Sequence, residues 1–291
     1  MKLGFNEAND RFCKGHTVRK DLELCEQYGF DYIDIQSECL DRDLEKGLIT
    51  LDELGRWFRE HHLKMLSYNA LCGFNMKQTQ EEKDAVIWKL DEIIRRCDIL
   101  GCKMIVVVPS QDMAQRGLQP TRRDIREDAV NVLEEMVKRA APHGIRLSLE
   151  FCGCPAMTIN RFEDAYAIVE AVDSPYVGIT LDQYHFYAMA SEWAALEKAD
   201  GKKIFIWHLN GTEDMPCGAP YNNDEKRLWP DAAGDCLPQR RYADILQKIG
   251  FAGDCCTLEV FRPAYYNMSQ EENVKKSAEV TKAHVMKYWR V

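Results

Sequence analysis

Short runs of apolar and β-branched residues alternate with longer amphipathic stretches along the whole chain. The apolar runs predict buried strands, and Met104–Val108, apolar at every position, is typical of a parallel sheet covered on both faces. In the longer stretches apolar residues recur with helical spacing. Val130, Leu133 and Val137, for example, are predicted to face the sheet from one helix. The pattern predicts repeated strand–helix units.

Eight such units can be counted. The predicted strands are Leu3–Asn6, Tyr32–Ile35, Met65–Asn69, Met104–Val108, Arg146–Glu150, Val177–Leu181, Ile204–Leu209 and Cys255–Val260. The predicted helices are Asp21–Tyr28, Leu51–His61, Glu82–Leu100, Arg122–Ala141, Phe162–Val172, Glu192–Lys198, Tyr242–Ile249 and Gln270–Tyr288. Gly29 and Gly101 each stand between a helix and the next strand, where glycine supplies the left-handed residue that ends a helix.

Eight strand–helix units without an intervening linker predict one α/β domain over residues 1–291, a closed (β/α)8 TIM barrel. An open doubly wound sheet is the alternative. It would need a Gly-rich phosphate loop after the first strand, and Phe5–Asn9 is not one. A long irregular stretch at about residues 210–241, after the seventh strand, is expected to form a lid or binding loop. A surface insertion without a role is the other interpretation.

Composition limits the partners. The chain has 47 acidic residues against 38 Lys and Arg, a net charge of −9, which argues against nucleic acid binding. No apolar run reaches the roughly 18 residues that a membrane span needs. Glu7 falls where a secretory signal would be apolar, so we expect a cytoplasmic protein. The twelve cysteines form no C-x-x-C pair and are expected to be reduced and mostly buried.

Charged side chains close the last four predicted strands. Glu150 ends the fifth, Asp182 follows the sixth, His208 lies in the seventh and Glu259 near the end of the eighth. The carboxyl ends of barrel strands form one rim, so these four are expected to meet. Each acid could instead cap the next helix. Converging carboxylates repel one another, and a divalent cation relieves the repulsion. The set suits Mn²⁺, Mg²⁺ or Co²⁺, with Zn²⁺ as a further candidate.

Other candidates surround this rim. His185 follows Asp182 by three residues, and a turn after the strand would return its imidazole to the same mouth, for substrate contact or proton transfer. The alternative is a histidine packed in a loop. The remaining histidines lack this placement and are predicted to lie on the surface; they are His16, His61, His62, His143 and His284.

Three further side chains are candidates for holding a substrate. Arg262, just after the eighth strand, could orient substrate hydroxyls or tie that strand to its helix. Trp229 and Trp207 could form the floor of a pocket against the apolar face of a sugar ring, or simply pack in the core.

Several short strings occur in an order and spacing that is specific across the chain: Phe5–Ala8, Asp21–Glu26, Asn69–Leu71, Leu149–Phe151, Leu181–Asp182 with His185–Phe186, Asp200–Ile206, Thr212–Asp214, Arg227 with Trp229–Pro230, and Phe261–Tyr266. In these strings the chain resembles the sugar phosphate isomerase/epimerase superfamily of xylose isomerase-like TIM barrels. Within it, the likeness is greatest to the inosose isomerases of inositol catabolism.

The resemblance implies that Glu150, Asp182, His208 and Glu259 bind one divalent metal ion, with Mn²⁺ favoured. It implies that Glu150 and Glu259 are the acid/base pair, and that His185 contacts substrate oxygens; Asn69, at the end of the third strand, is a further candidate for substrate binding. The chain departs from the family pattern in two places. Asn210 stands where an acid is usual, and Trp229–Gly234 replaces a Trp-Pro-Gly-x-Gly turn. Both bear on the choice of substrate.

These observations lead to one functional hypothesis with three alternatives. The hypothesis is a metal-dependent isomerase or epimerase of carbohydrate metabolism that acts on a small keto-sugar or inosose through an enediolate. A metal-dependent lyase, or its catalytic subunit, could cleave an oxidised glycoside by the same proton abstraction. An AP endonuclease would need extra histidines, and Asn69 and Ser110 stand at the relevant strand ends. A non-catalytic sugar- or metal-binding protein would not need two opposed glutamates. Relatives in this superfamily often pair, which makes a homo-oligomer one candidate state.

Overall fold

A closed barrel of eight parallel strands forms the centre of the computed structural model, which describes residues 1–219 and 224–289. Its strands are β1 (Lys2–Asn6), β2 (Tyr32–Gln36), β3 (Lys64–Cys72), β4 (Met104–Val108), β5 (Arg146–Glu150), β6 (Val177–Asp182), β7 (Ile204–Leu209) and, after the short β8 (Gly211–Thr212) and β9 (Arg227–Leu228), β10 (Cys255–Leu258). Each barrel strand pairs with the next, and β1 pairs with β10 to close the barrel. The predicted TIM barrel is confirmed.

Helices surround the barrel. They are α1 (Val18–Tyr28), α2 (Ser37–Glu45), α3 (Leu51–Glu60), α4 (Gln80–Leu100), α5 (Arg122–Ala140), α6 (Phe162–Val172), α7 (Gln183–Ala188), α8 (Trp193–Lys198), α9 (Gln239–Ile249) and α10 (Gln270–Tyr288). Of these, α2 and α7 were not predicted. Helix α1 begins at Val18, three residues before the predicted start, because the Thr17 side chain accepts a hydrogen bond from the Lys20 amide and caps it. In α5, Leu133 is fully buried, whereas Val130 and Val137 lie at the edge of the buried face.

Strand alternation decides which side chains reach the inside of the barrel. Ser148 and Thr180 precede Glu150 and Asp182 by two residues and therefore share their faces. Their hydroxyl groups are hydrogen-bonded at 2.7 Å and fully buried. A polar layer thus lies directly beneath the carboxylates that end β5 and β6.

The long loop between β7 and α9 folds back over the carboxyl end of the barrel. Its two short strands, β8 and β9, pair antiparallel, with Gly211 opposite Leu228. Most of the loop predicted at 210–241 has no other regular structure, although α9 already begins at Gln239. Residues 220–223 of that prediction lie outside the described residues.

The cysteines are mostly buried, as the sequence predicts. All twelve cysteines are free thiols, and eight of them are buried. Burial raises the pKa of several of these thiols, that of Cys13 to about 12. Within residues 1–219 and 224–289, no helix has both the length and the apolar character needed to cross a membrane.

Candidate metal centre and active site

The barrel brings together the four side chains that the sequence places at the ends of its last strands. Nδ1 of His208 lies 3.0 Å from Oε1 of Glu150, 3.2 Å from Oε2 of Glu259 and 4.0 Å from Oδ2 of Asp182. One potential ligand atom of each residue lies within 4.8 Å of those of the other three. The side chains come from β5, β6, β7 and the residue after β10, so the closure of the barrel creates the cluster.

Burial makes the charges of this cluster strongly interdependent. Asp182 and His208 are inaccessible to solvent, and Glu150 and Glu259 are 4% and 3% exposed. Burial and the nearby Glu150 raise the pKa of Glu259, although His208 partly opposes them. Burial alone would lower the pKa of His208, but the charges of Glu259 and Glu150 raise it well above its ordinary value.

Arg227 has no role predicted from the sequence, yet its guanidinium contacts two carboxylates of the cluster. It lies on β9 in the long loop and is fully buried. Its Nη1 donates to Oδ2 of Asp182 at 2.5 Å and to Oε2 of Glu259 at 3.2 Å, and its Nε donates to Oδ1 of Asp224 at 2.9 Å. Burial tends to raise the pKa of Asp182, but Arg227, His185 and His208 together outweigh it and hold that pKa well below its usual range.

The donor set fits one divalent cation. Three carboxylates and one imidazole nitrogen are a combination that Mn²⁺, Co²⁺ and Zn²⁺ accept in proteins. The three negative charges would be balanced by two from the cation and one from the buried Arg227, with a neutral His208. Few other ligands could balance a buried site of this charge, because unpaired buried charges are costly.

The predicted substrate ligands lie next to this cluster. The amide of His185 donates to Oδ1 of Asp182 at 2.9 Å, because Asp182 caps the short helix α7. Nε2 of His185 lies 3.2 Å from Nη2 of Arg227, and its Nδ1 has no hydrogen-bond partner among the described residues. Nδ2 of Asn69 lies 3.4 Å from Oε1 of Glu259. His185 and Asn69 are each 5% exposed, so both border the closed mouth of the barrel.

Two amide side chains without a predicted role in the cluster also contact it. Nδ2 of Asn6 donates to Oε1 of Glu259 at 2.9 Å, and Nδ2 of Asn210 donates to Oδ2 of Asp182 at 3.0 Å. Asn6 could have been found because it ends the first predicted strand, at the same rim as the four charged residues. Asn210, noted only as a departure from the family pattern, is hydrogen-bonded to a member of the cluster.

Arg262 and Trp229 hold the long loop. Nη2 of Arg262 donates to Oε1 of Glu213 at 2.7 Å, and its Nη1 donates to the carbonyl oxygen of Arg227 at 3.3 Å. Trp229 stacks on Tyr265 with ring centroids 3.7 Å apart and is 8% exposed. Both side chains therefore connect the loop after β7 to the loop after β10, beside the carboxylate cluster.

Of the two interpretations of Trp207, the one that places it in the floor of a pocket is wrong, and core packing is confirmed. Its side chain is buried against His284 and Trp289, on the helix side of β7, because it alternates with the inward-facing His208. The prediction that His284 is a surface residue is also wrong, because its side chain faces inward from α10 against Trp207 and is 2% exposed.

His16 was also predicted to be on the surface, and this too is wrong. It is 7% exposed and lies in a buried polar network behind α1. Nη2 of Arg42 donates to its Nδ1 at 2.8 Å, so its Nε2 carries the hydrogen that faces Oδ2 of Asp21 at 2.7 Å. Of the other histidines, His62 and His143 are exposed as predicted, and His61 is partly buried.

Comparison with known proteins identifies a matching family model, similar sequences and a similar solved structure. The family model described as "Xylose isomerase-like TIM barrel" matches residues 22–284. The inosose isomerase of Bacillus velezensis is 39% identical over 290 residues, 99% of each chain, and that of Bacillus subtilis (strain 168) is 38% identical over 301 residues, also 99% of each chain. A crystal structure of the IolI protein, which contains a zinc atom, superposes with a TM-score of 0.92 at 37% identity, covering all of both chains.

Proposed function

The chain belongs to the xylose isomerase-like TIM barrel family, and from this premise we propose that it is a metal-dependent isomerase or epimerase of a keto-polyol, with an inosose as the favoured substrate. One observation carries the proposal. Three carboxylates and a histidine converge in a buried cluster at the carboxyl end of the barrel, where TIM-barrel enzymes have their active sites. The full-length relatives named inosose isomerase and the zinc atom in the IolI structure support it.

Glu150, Asp182, His208 and Glu259 would hold the cation. A bound divalent cation supplies Lewis acidity toward a carbonyl oxygen, which makes the neighbouring C–H more acidic. Glu150 and Glu259 both lie within hydrogen-bonding distance of His208 Nδ1, at 3.0 and 3.2 Å. One of them removes the proton from the carbon beside the carbonyl, giving an enediolate, and one of them returns a proton.

The carbon and the face to which the proton returns decide the outcome. Return to the same carbon from the opposite side gives an epimer, and return to the neighbouring carbon moves the carbonyl group. The two glutamates differ in their surroundings. Oε1 of Glu259 accepts from Asn6, and its Oε2 accepts from Arg227. Among the described residues, the side-chain partner of Glu150 is His208, which leaves Glu150 the less restrained carboxylate.

His185 and Arg227 are placed to hold a polyol above the carboxylates. Their side chains meet at 3.2 Å, and the unpartnered Nδ1 of His185 is available to a substrate hydroxyl. If the carbonyl moves, the imidazole can carry a hydroxyl proton between adjacent oxygens. Trp229, at the inner side of the loop, offers an apolar surface to a sugar ring.

The proposal is tested by incubating the protein, loaded in turn with Mn²⁺, Co²⁺ and Zn²⁺, with inososes and ketohexoses in D₂O. NMR would follow product formation and deuterium at carbon. We expect deuterium next to the carbonyl, and E150Q or E259Q should abolish turnover with the fold intact. E213Q is the matched control, since Glu213 lies in the same loop region but contacts Arg262 rather than the cluster. Neither product nor deuterium with any substrate and metal would refute the proposal, and release of an aglycone from a keto-glycoside would favour a lyase.

A further inference from the structure

A fourth acidic side chain lies under the three carboxylates of the cluster, inside the barrel. Asp34 is on β2, across the barrel from β7, and is inaccessible to solvent. Its Oδ1 accepts a hydrogen bond of 2.5 Å from the hydroxyl of Ser67 on β3. Its Oδ2 lies 3.6 Å from Nε2 of His208, and neither of these two atoms has a hydrogen-bond partner among the described residues.

The two nitrogens of His208 face different groups. Nδ1 faces Glu150, Asp182 and Glu259, so it is the nitrogen that would bind a cation held by these carboxylates. A neutral imidazole carries one hydrogen, and a nitrogen that binds a cation must offer its lone pair. The hydrogen must then be on Nε2, which is aimed at Oδ2 of Asp34.

The distance of 3.6 Å is slightly longer than a hydrogen bond. A shift of roughly 0.5 Å would bring the two atoms within normal N–H···O range. Both atoms are buried, and buried polar atoms usually have a hydrogen-bond partner. A hydrogen bond between them would satisfy both. Histidines that bind metal ions commonly donate their second N–H to a carboxylate, which fixes the tautomer and the orientation of the ring.

We propose that Asp34 is a positioning residue for the metal centre, holding His208 in the Nε2–H tautomer so that Nδ1 is free to bind the cation. This inference rests on the proposed function, because it takes the four-residue cluster to be the cation site. Asp34 acts through His208 and touches neither cation nor substrate.

The test measures divalent-cation affinity, by competition of Zn²⁺ with a chromophoric chelator, and the visible spectrum of the Co²⁺-loaded protein. D34A removes the acceptor and should raise the Kd for Zn²⁺ about 10- to 100-fold and alter the Co²⁺ spectrum. D34N should retain most of the affinity, because its amide oxygen can still accept from Nε2. S67A is the matched control, since it removes a partner of Asp34 but leaves the carboxylate facing His208; its Kd should stay within about threefold of the parent.

Folding is checked by circular dichroism and urea unfolding of the metal-free proteins, and D34V serves as a second variant without a side-chain acceptor if D34A does not fold. A folded D34A or D34V that binds Zn²⁺ within threefold of the parent would overturn the role of Asp34. H208A separates this from failure of the proposed function. If the parent protein binds Zn²⁺ no better than H208A, the cluster is not the cation site. If the parent binds tightly, H208A does not and Asp34 variants are unchanged, only the present inference fails.

Discussion

Replacement of Arg227 by methionine would test whether its charge is needed to balance the carboxylate cluster. Methionine keeps a long side chain that can still pack against Tyr184 and Phe261, over whose rings the guanidinium lies at 4.5 and 5.1 Å. It removes the ion pairs to Asp182 and Glu259. The change therefore isolates the positive charge from most of the packing.

The structure sets the expected magnitude. Arg227 and Asp182 are fully buried, and Glu259 is almost so, so the carboxylates cannot regain water when their partner is lost. Removal of one member of such a buried pair usually costs about 3 to 5 kcal/mol in the free energy of unfolding. We expect a loss in this range for the metal-free R227M protein. With saturating Zn²⁺ the loss should be smaller, because the cation compensates the same carboxylates.

The assay is urea unfolding of metal-free and Zn²⁺-loaded proteins, followed by circular dichroism. R262M is the matched control, since Arg262 pairs with the partly exposed Glu213 and should contribute about 0 to 1 kcal/mol. A metal-free R227M protein as stable as R262M, or the same loss with and without Zn²⁺, would show that Arg227 does not balance this cluster.

Three other outcomes are expected. Removal of divalent ions with a chelator should abolish turnover, and Zn²⁺ at 100 times its Kd should stabilise the parent by about 2.7 kcal/mol but not D182N, as thermal unfolding would show. Burial lowers the pKa of His284 from 6.5 to about 4. The unfolded chain therefore binds a proton at higher pH than the folded chain, so the free energy of unfolding should fall as the pH drops from 6.5 to about 4. H284L lacks this group, so its stability relative to the parent should be about 2 kcal/mol greater at pH 5 than at pH 7. The same pH dependence of unfolding in both proteins would contradict this. In G153A the new Cβ would lie 2.6 Å from the carbonyl oxygen of His185. We expect the free energy of unfolding to fall by about 1 to 3 kcal/mol and turnover to slow, because His185 must move. Unchanged kinetics would show that the position of His185 does not matter for catalysis.

The barrel and the convergence of four side chains could be predicted because both depend on local pattern and simple topology. Runs such as Met104–Val108 identify strands without reference to the rest of the chain. Once eight parallel strands close, the residue after each one must lie at the same rim. The two interpretations of Asp182 also turn out to be compatible, because its Oδ1 caps α7 while its Oδ2 contacts Arg227.

What could not be predicted depends on contacts between distant segments. Arg227 lies on the two-residue strand β9 of the long loop. It is buried only because that loop folds over the rim of the barrel. Helix α7, with six residues, is too short to show a period. The burial of His16 and His284 depends on partners elsewhere in the chain, Arg42 in one case and Trp207 in the other.

The site is assembled from two sources that can change independently. The ends of the barrel strands provide the four clustered side chains, whereas the loop after β7 provides Arg227 and Trp229. Insertions or replacements in that loop would alter the shape and charge of the site next to the cluster while leaving its four side chains in place. The same scaffold could therefore acquire new substrates by exchange of one surface segment, and grafting this loop between related barrels is a direct route to altered selectivity.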